Sequence, residues 1–248
     1  IEVRHAEELA ALRGSKYVES CLDESFRRIK EQLQTGRGVV FSGTPCQVAG
    51  LRRYLGKPYR ELLLIETACH GVASRRVWQQ SLSELCDTKH IDRSEITAIS
   101  FRDKSTGWNH YSFAVTTTHR KYTMRQTAYL RGYGNNLFLR PSCYRCRVKA
   151  AGSYADVTLA DAWGVEEESA NACYRDDRGV SFVIPHTEKG RAAVTEMKEC
   201  HIEAIEAGKM LAHNPCITQS VTEPKGRARF FELFLAGHTV DRCVASAA

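Results

Sequence analysis

The strongest constraint on the fold is a short apolar run that ends in a helix-starting turn. Gly38-Val39-Val40-Phe41 passes into Ser42-Gly43-Thr44-Pro45-Cys46-Gln47, and an amphipathic stretch over 48–55 follows at once. Thr44 and Gln47 have capping-box spacing, with Pro45 at the first helical position between them. Gly56 closes the helix, and a second apolar run, Leu62-Leu63-Leu64-Ile65, comes next. Strand, helix and strand at this spacing predict a βαβ unit with parallel strands and a right-handed crossover. Ligands of such units gather at the carboxyl ends of the strands. Two cysteines are placed there: Cys46 in the first helical turn, and Cys69 in Thr67-Ala68-Cys69-His70-Gly71 after the second strand. The free N–H groups and dipole of a helix start favour a thiolate, the form that binds metal or attacks carbon.

The rest of the chain extends this unit into an α/β fold: a mixed sheet containing the βαβ unit, flanking helices and a helical carboxyl-terminal tail. Phe26, Ile29 and Leu33 fall at helical spacing before Gly36, and a short helix is expected near 7–12. Ser74 is placed to cap a helix whose apolar face holds Val77, Trp78, Leu82 and Leu85. Residues 96–101 read as a strand, and 111–117 with 121–124 as an antiparallel pair. Short strands are expected at 157–159 and 180–184, with the charged stretch 166–177 between them as a surface loop. Thr187 caps a helix running to about Glu199, and a tail helix spans 227–236, ended by Gly237.

Composition narrows the chemistry. The net charge of +6 is scattered rather than gathered on one basic, aromatic-laced face, so no nucleic-acid partner is expected. The nearest thing to a cluster, Arg140, Arg145, Arg147 and Lys149, surrounds Cys143 and Cys146, where it would neutralise local negative charge. No apolar run approaches the ~20 residues of a membrane span, and no secretory leader is visible. Ten cysteines in such a chain point to metal or redox use in a reducing, cytoplasmic compartment rather than to a disulfide framework. Cys21, Cys86, Cys173, Cys200, Cys216 and Cys243 lack a ligand-like context and read as packing or surface residues. Residue 1 is isoleucine, so the chain reads as a fragment.

Cys143-Tyr144-Arg145-Cys146 is a C-x₂-C pair, a spacing that lets two thiolates share one metal centre. Zinc, an iron–sulfur cluster and a redox disulfide all use it. With Cys46 and Cys69 it makes a four-thiolate set in turn contexts, which spacing alone cannot divide between zinc and iron–sulfur. A cysteine-nucleophile reading, with His70 or another histidine as base, is geometrically poor, because adjacent residues of an extended chain point apart. The loop 102–108, with Arg102, Lys104 and Trp108, and the segment 158–164, with Asp161, read either as ordinary turns or as parts of a planar cofactor pocket. The chain has no GxGxxG and no Walker-type loop, so a nucleotide would be held by another device.

Taken in order, several stretches resemble one known family: Arg13-Gly14-Ser15-Lys16-Tyr17-Val18, residues 41–51, Cys69-His70-Gly71-Val72, Ser100-Phe101-Arg102-Asp103-Lys104 with Gly107-Trp108, residues 136–143, and Thr158-Leu159-Ala160-Asp161. They are similar to the coenzyme F420 hydrogenase/dehydrogenase β-subunit family, in its bacterial branch. The resemblance spans about residues 9–235. It implies an oxidoreductase, an iron–sulfur flavoprotein passing electrons between a hydride carrier (a deazaflavin or similar), a flavin (FAD or FMN) and a 4Fe–4S cluster. Carried over by position, Cys46, Cys69, Cys143 and Cys146 would hold the cluster. Ser42, Gly43, Thr44, Gln47, Arg102, Lys104, Trp108 and Asp161 would line the flavin. In these terms residues 1–60 form an amino-terminal part, 61–205 a cluster and flavin part, and 206–248 the helical tail of one compact unit. Many bacterial members begin with a ferredoxin-like segment, so electrons are expected from such an upstream segment or from a redox partner protein. The rivals to this reading are a non-catalytic Cys₄ zinc module, an electron-relay subunit and a cysteine-nucleophile enzyme.

Overall fold

The computed structural model of the chain describes residues 1–150 and 152–247. The side chain of Cys173, read above as packing or surface, lies outside the described residues. In chain order, helix α1 (Ser25–Gln34) precedes strand β1 (Val39–Gly43), helix α2 (Pro45–Leu55) and strand β2 (Leu62–Thr67). Helix α3 (Arg75–Lys89) leads into β3 (Ile96–Asp103), β4 (Ser112–Thr117) and β5 (Lys121–Met124). Next come α4 (Ala128–Gly134), α5 (Arg147–Ala150), β6 (Val157–Asp161), α6 (Val165–Glu168) and β7 (Ser181–Pro185). The chain closes with α7 (Glu188–Thr195), α8 (Ala207–His213), α9 (Arg227–Leu235) and α10 (Val240–Ala247).

These elements divide between two compact units, each assembled from separated segments. One unit takes Ile1–Glu19, Val72–Arg140 and Thr222–Ala248; the other takes Ser20–Gly71 and Pro141–Val221.

The second unit contains the expected βαβ. Its sheet has the order β1-β2-β6-β7, with the first three strands parallel and β7 antiparallel to β6. Val48 and Leu51 of α2 are fully buried against Leu62 and Leu64 of β2 and Leu33 of α1. Each such side chain contributes roughly 1.5–3 kcal/mol relative to an exposed one. A second cluster, Ala162, Val165, Phe182 and Met210, forms where β6 and β7 meet α6 and α8. Thr187 does cap α7, its Oγ1 accepting from the Gly190 N–H at 3.0 Å, but the helix stops at Thr195. Gly190 is required there, since a Cβ would fall 2.1 Å from the Asp156 carbonyl oxygen. The stretch 166–177 is not simply a loop: α6 enters it and a 3-10 turn, Ala172–Arg175, lies within it. Burial of Val165 and hydrogen bonds from Asn171 and Tyr174 to Glu203 hold these turns in place.

The first unit pairs a three-stranded antiparallel sheet, β3-β4-β5, with α3, α4, α9 and α10. Its core is aromatic: Phe101, Phe113, Tyr129, Phe138 and Phe230 are buried, with Trp78 among their rings. Helix α4 has little helical signal because it contains Gly132 and Gly134, poor helix formers. Gly132 is there for packing, since a Cβ would stand 2.4 Å from the Phe138 ring. The β4–β5 turn lacks glycine, and Thr117 Oγ1 compensates by accepting from the N–H groups of His119 and Arg120.

Candidate metal centre

The turn after β1 is built as its residues dictate. Thr44 is the N-cap of α2, its side chain accepting from the backbone of the third helical residue, and Gln47 Oε1 accepts from the Thr44 N–H at 3.0 Å. Pro45 fills the first helical position, where no N–H is needed. Gln47 Nε2 donates to Ser20 Oγ at 2.9 Å, tying the turn to the segment before α1. Gly43 leaves the room this requires, since a Cβ would lie 3.0 Å from Gln47 Oε1 and 3.1 Å from the Phe41 ring. Cys46 is exposed in the first turn, with Thr44 Oγ1 3.2 Å from its sulfur. Ser42 is exposed beside it.

Cys69 follows β2, where the Ala68 N–H donates to the Leu159 carbonyl at 2.8 Å and continues the pairing with β6. Burial pushes the Cys69 thiol up to about 12, Lys149 pulls it down, and Cys46, Cys143 and Cys146 each push it further up. Four thiols from three separate chain segments therefore share one electrostatic neighbourhood with one ammonium. Cys143 lies in a 3-10 turn, Pro141–Arg145, and Cys146 just before α5. That pair is braced by the segment ahead of Val221. Ser220 Oγ accepts from the Cys146 N–H at 2.8 Å, and Lys149 Nζ donates to the Gln219 carbonyl at 3.1 Å.

Among the described residues no three His, Cys, Asp or Glu side chains converge tightly enough to hold one metal ion. The donor chemistry, all thiol with a cation beside it, suits a Cys₄ zinc site and an iron–sulfur cluster alike. A thiol held up near 12 is a poor nucleophile at neutral pH, which weighs against Cys69 as an attacking group.

The remaining site candidates are distributed between the units. Asp161 ends β6 in the second unit, opposite Ser181. Arg102, Lys104 and Trp108 belong to the first unit. There the Arg102 guanidinium stands 4.7 Å from the Tyr111 ring centre and 5.7 Å from that of Tyr17. Trp108 is only 2% exposed and serves the core, while Lys104 is exposed. Arg140 also joins the first unit, paired with Glu19, whereas Lys149 is the basic residue that acts on Cys69. Of the other cysteines, Cys86 and Cys243 are buried, Cys21 and Cys200 exposed and Cys216 half-buried. Sequence reasoning missed Glu66 and His186, which form a hydrogen-bonded row with Thr158 in the second unit. Their signal was a glutamate at a position where strand alternation calls for an apolar residue.

Among the described residues no helix is long and apolar enough to cross a membrane. No curated protein matches the chain in sequence. A solved structure of the F420-reducing [NiFe] hydrogenase complex from Methanosarcina barkeri, studied by xenon derivatization, is similar at a TM-score of 0.45 and 16% identity. That similarity covers 85% of this chain and 68% of the other. The family model that describes the carboxyl terminus of the coenzyme F420 hydrogenase/dehydrogenase β-subunit matches residues 36–209, which include all four cysteines of the shared neighbourhood. The chain belongs to the coenzyme F420 hydrogenase/dehydrogenase β-subunit family.

Proposed function

We propose that this chain is an electron-transferring oxidoreductase unit in which Cys46, Cys69, Cys143 and Cys146 hold a 4Fe–4S cluster beside a flavin. The reading rests on one observation: thiols from three chain segments meet in one neighbourhood with Lys149. The cluster would supply single-electron transfer, and the flavin, FAD or FMN, would link it to a hydride carrier of the deazaflavin type. The protein's own part is to place and tune the ligands. The Thr44–Gln47 box presents Cys46, β2 delivers Cys69, and Ser220 and Gln219 steady the C-x₂-C segment. Lys149 offsets the charge that deprotonated thiols bring. Ser42, Gly43, Thr44, Gln47 and Asp161, all of the second unit, are the proposed flavin residues. Electrons would come from a redox partner protein or an upstream ferredoxin-like segment, in the cytoplasm.

Protein purified without air tests this. It should be brown, with iron and acid-labile sulfide each near four per chain and an extractable flavin. Cys46→Ser and Cys143→Ser should each lose the iron. Colourless protein holding one zinc per chain would sink the redox reading, and activity lost in Cys46→Ser but kept in Cys143→Ser would favour a nucleophile instead.

A further inference from the structure

A polar row crosses the sheet of the second unit between apolar residues of the same face. Paired residues of neighbouring strands share a face, so Gly43, Glu66, Thr158 and Ile184 lie in one line across β1, β2, β6 and β7. The same face carries Phe41 and Leu64 on one side of the row, in the core under α2, and Ala160 and Phe182 on the other. Glu66 and Thr158 are 4% and 2% exposed. A carboxylate buried where the pattern calls for leucine is the kind of local inconsistency that accompanies function.

The hydrogen bonds along this row have a fixed sense. Thr158 Oγ1 donates to Glu66 Oε1 at 2.7 Å. A hydroxyl has one proton to give, so Thr158 accepts in its 2.7 Å contact with His186 Nε2, and that nitrogen carries the proton. His186 is exposed just past β7. At the other end, Glu66 Oε2 is buried and has no hydrogen-bond partner. The row therefore leads from solvent to an unused carboxylate oxygen one residue from the end of β2. Its register partner Gly43 directly precedes the Thr44 cap, with Gln47 of α2 standing over the same face.

We propose that His186 and Thr158 form a proton path to Glu66, and that Glu66 takes up one proton as the redox centre at this edge takes up one electron. This rests on the redox reading above. A low-potential one-electron donor supplies the electron. His186 takes a proton from solvent on Nδ1 as it passes its Nε2 proton to Thr158 Oγ1, Thr158 passes its own to Glu66, and a tautomer exchange through solvent resets the imidazole. The carboxylate becomes a carboxylic acid, and the added charge is balanced inside a low-dielectric region where it would otherwise be costly. Asp156, next to Leu64 of the strand that carries Glu66, is the other carboxylate at this row. Asp156 is committed to the Leu64 N–H and Thr187 Oγ1. Thiolates bound to iron hold no proton.

The test uses holoprotein prepared without air, its iron, sulfide and flavin measured first, and titrated with dithionite across the neutral range. The midpoint potential should fall by about 59 mV for each tenfold drop in proton activity, one proton per electron. Glu66→Gln should keep its iron and lose that slope. The reduced-minus-oxidised infrared spectrum should show a carboxylic C=O band that shifts in D₂O and is absent from Glu66→Gln. Thr158→Val should slow the proton-coupled phase and Thr158→Ser restore it; His186→Ala should slow it and added imidazole rescue it. A pH-independent potential, or a slope retained in Glu66→Gln, overturns the proton path while leaving the redox reading intact. Protein with no redox-active centre overturns both.

Discussion

Gln47 Oε1 accepts the Thr44 N–H at 3.0 Å, and this bond is half of the capping box that starts the helix carrying Cys46. Gln47→Ala should therefore cost about 1 kcal/mol, read as a shift in denaturant midpoint. Gly43→Ala acts on the same bond, because its Cβ would press on Gln47 Oε1 from 3.0 Å. The double variant should then lose less than the sum of the two single losses. Full additivity would show that Gly43 has a separate role.

Cys69 should be the slow thiol. Its pKa is raised, so it stays protonated through neutrality and reacts only as pH climbs toward about 12. In metal-free protein, iodoacetamide should label exposed Cys46 well before Cys69, as peptide mass mapping can follow. Lys149→Met removes the charge that lowers the Cys69 pKa and should slow its labelling further.

Acid should weaken the first unit through Asp103. Lys121 stands 2.6 Å from its carboxylate, and Lys121 and then Ser105 hold its pKa below the ordinary value. A lowered carboxylate pKa gives stability that is complete above the unfolded value near 4 and lost as pH falls through the folded one. Lys121→Met should cost about 0.5 kcal/mol at neutral pH and flatten the acid limb of a stability–pH curve. An unchanged acid limb would refute the assignment.

Two glycines should respond in opposite directions. Gly190→Ala puts a Cβ 2.1 Å from the Asp156 carbonyl, a backbone atom that cannot swing aside, and should cost about 1–3 kcal/mol. Gly134 has open space and no positive φ, so Gly134→Ala should be neutral or stabilise by about 0.4–1 kcal/mol. Thermal unfolding of the two variants separates these outcomes.

Much of the second unit is legible along the chain. The Thr44–Gln47 box, Pro45 and Gly56 mark α2 almost to the residue, and the flanking apolar runs pair in parallel as expected. Thr187 caps α7 as its position predicts, while the helix ends short of Glu199, the expected boundary. Helix α4 escapes a reading of the chain because its glycines answer to Phe138, a neighbour in space, rather than to local helix propensity. Arg140 and Lys149 look equivalent in one basic cluster, yet one pairs with Glu19 and the other acts on Cys69.

By itself, then, the sequence determined the features settled within a turn or two of chain: caps and strand alternation. Capping and periodicity depend on residues three or four apart, which any reader of the chain can compare. Tertiary structure alone decided that Cys46, Cys69 and the Cys143–Cys146 pair share one neighbourhood, and that Trp108 is enclosed in a core. It also decided that the Thr44 turn, which carries Cys46, is anchored on Ser20, and that Glu66 meets Thr158 and His186 across three strands. Coulomb interaction, burial and hydrogen bonding depend on separation in space, and the register of β2 against β6, not chain order, sets that separation.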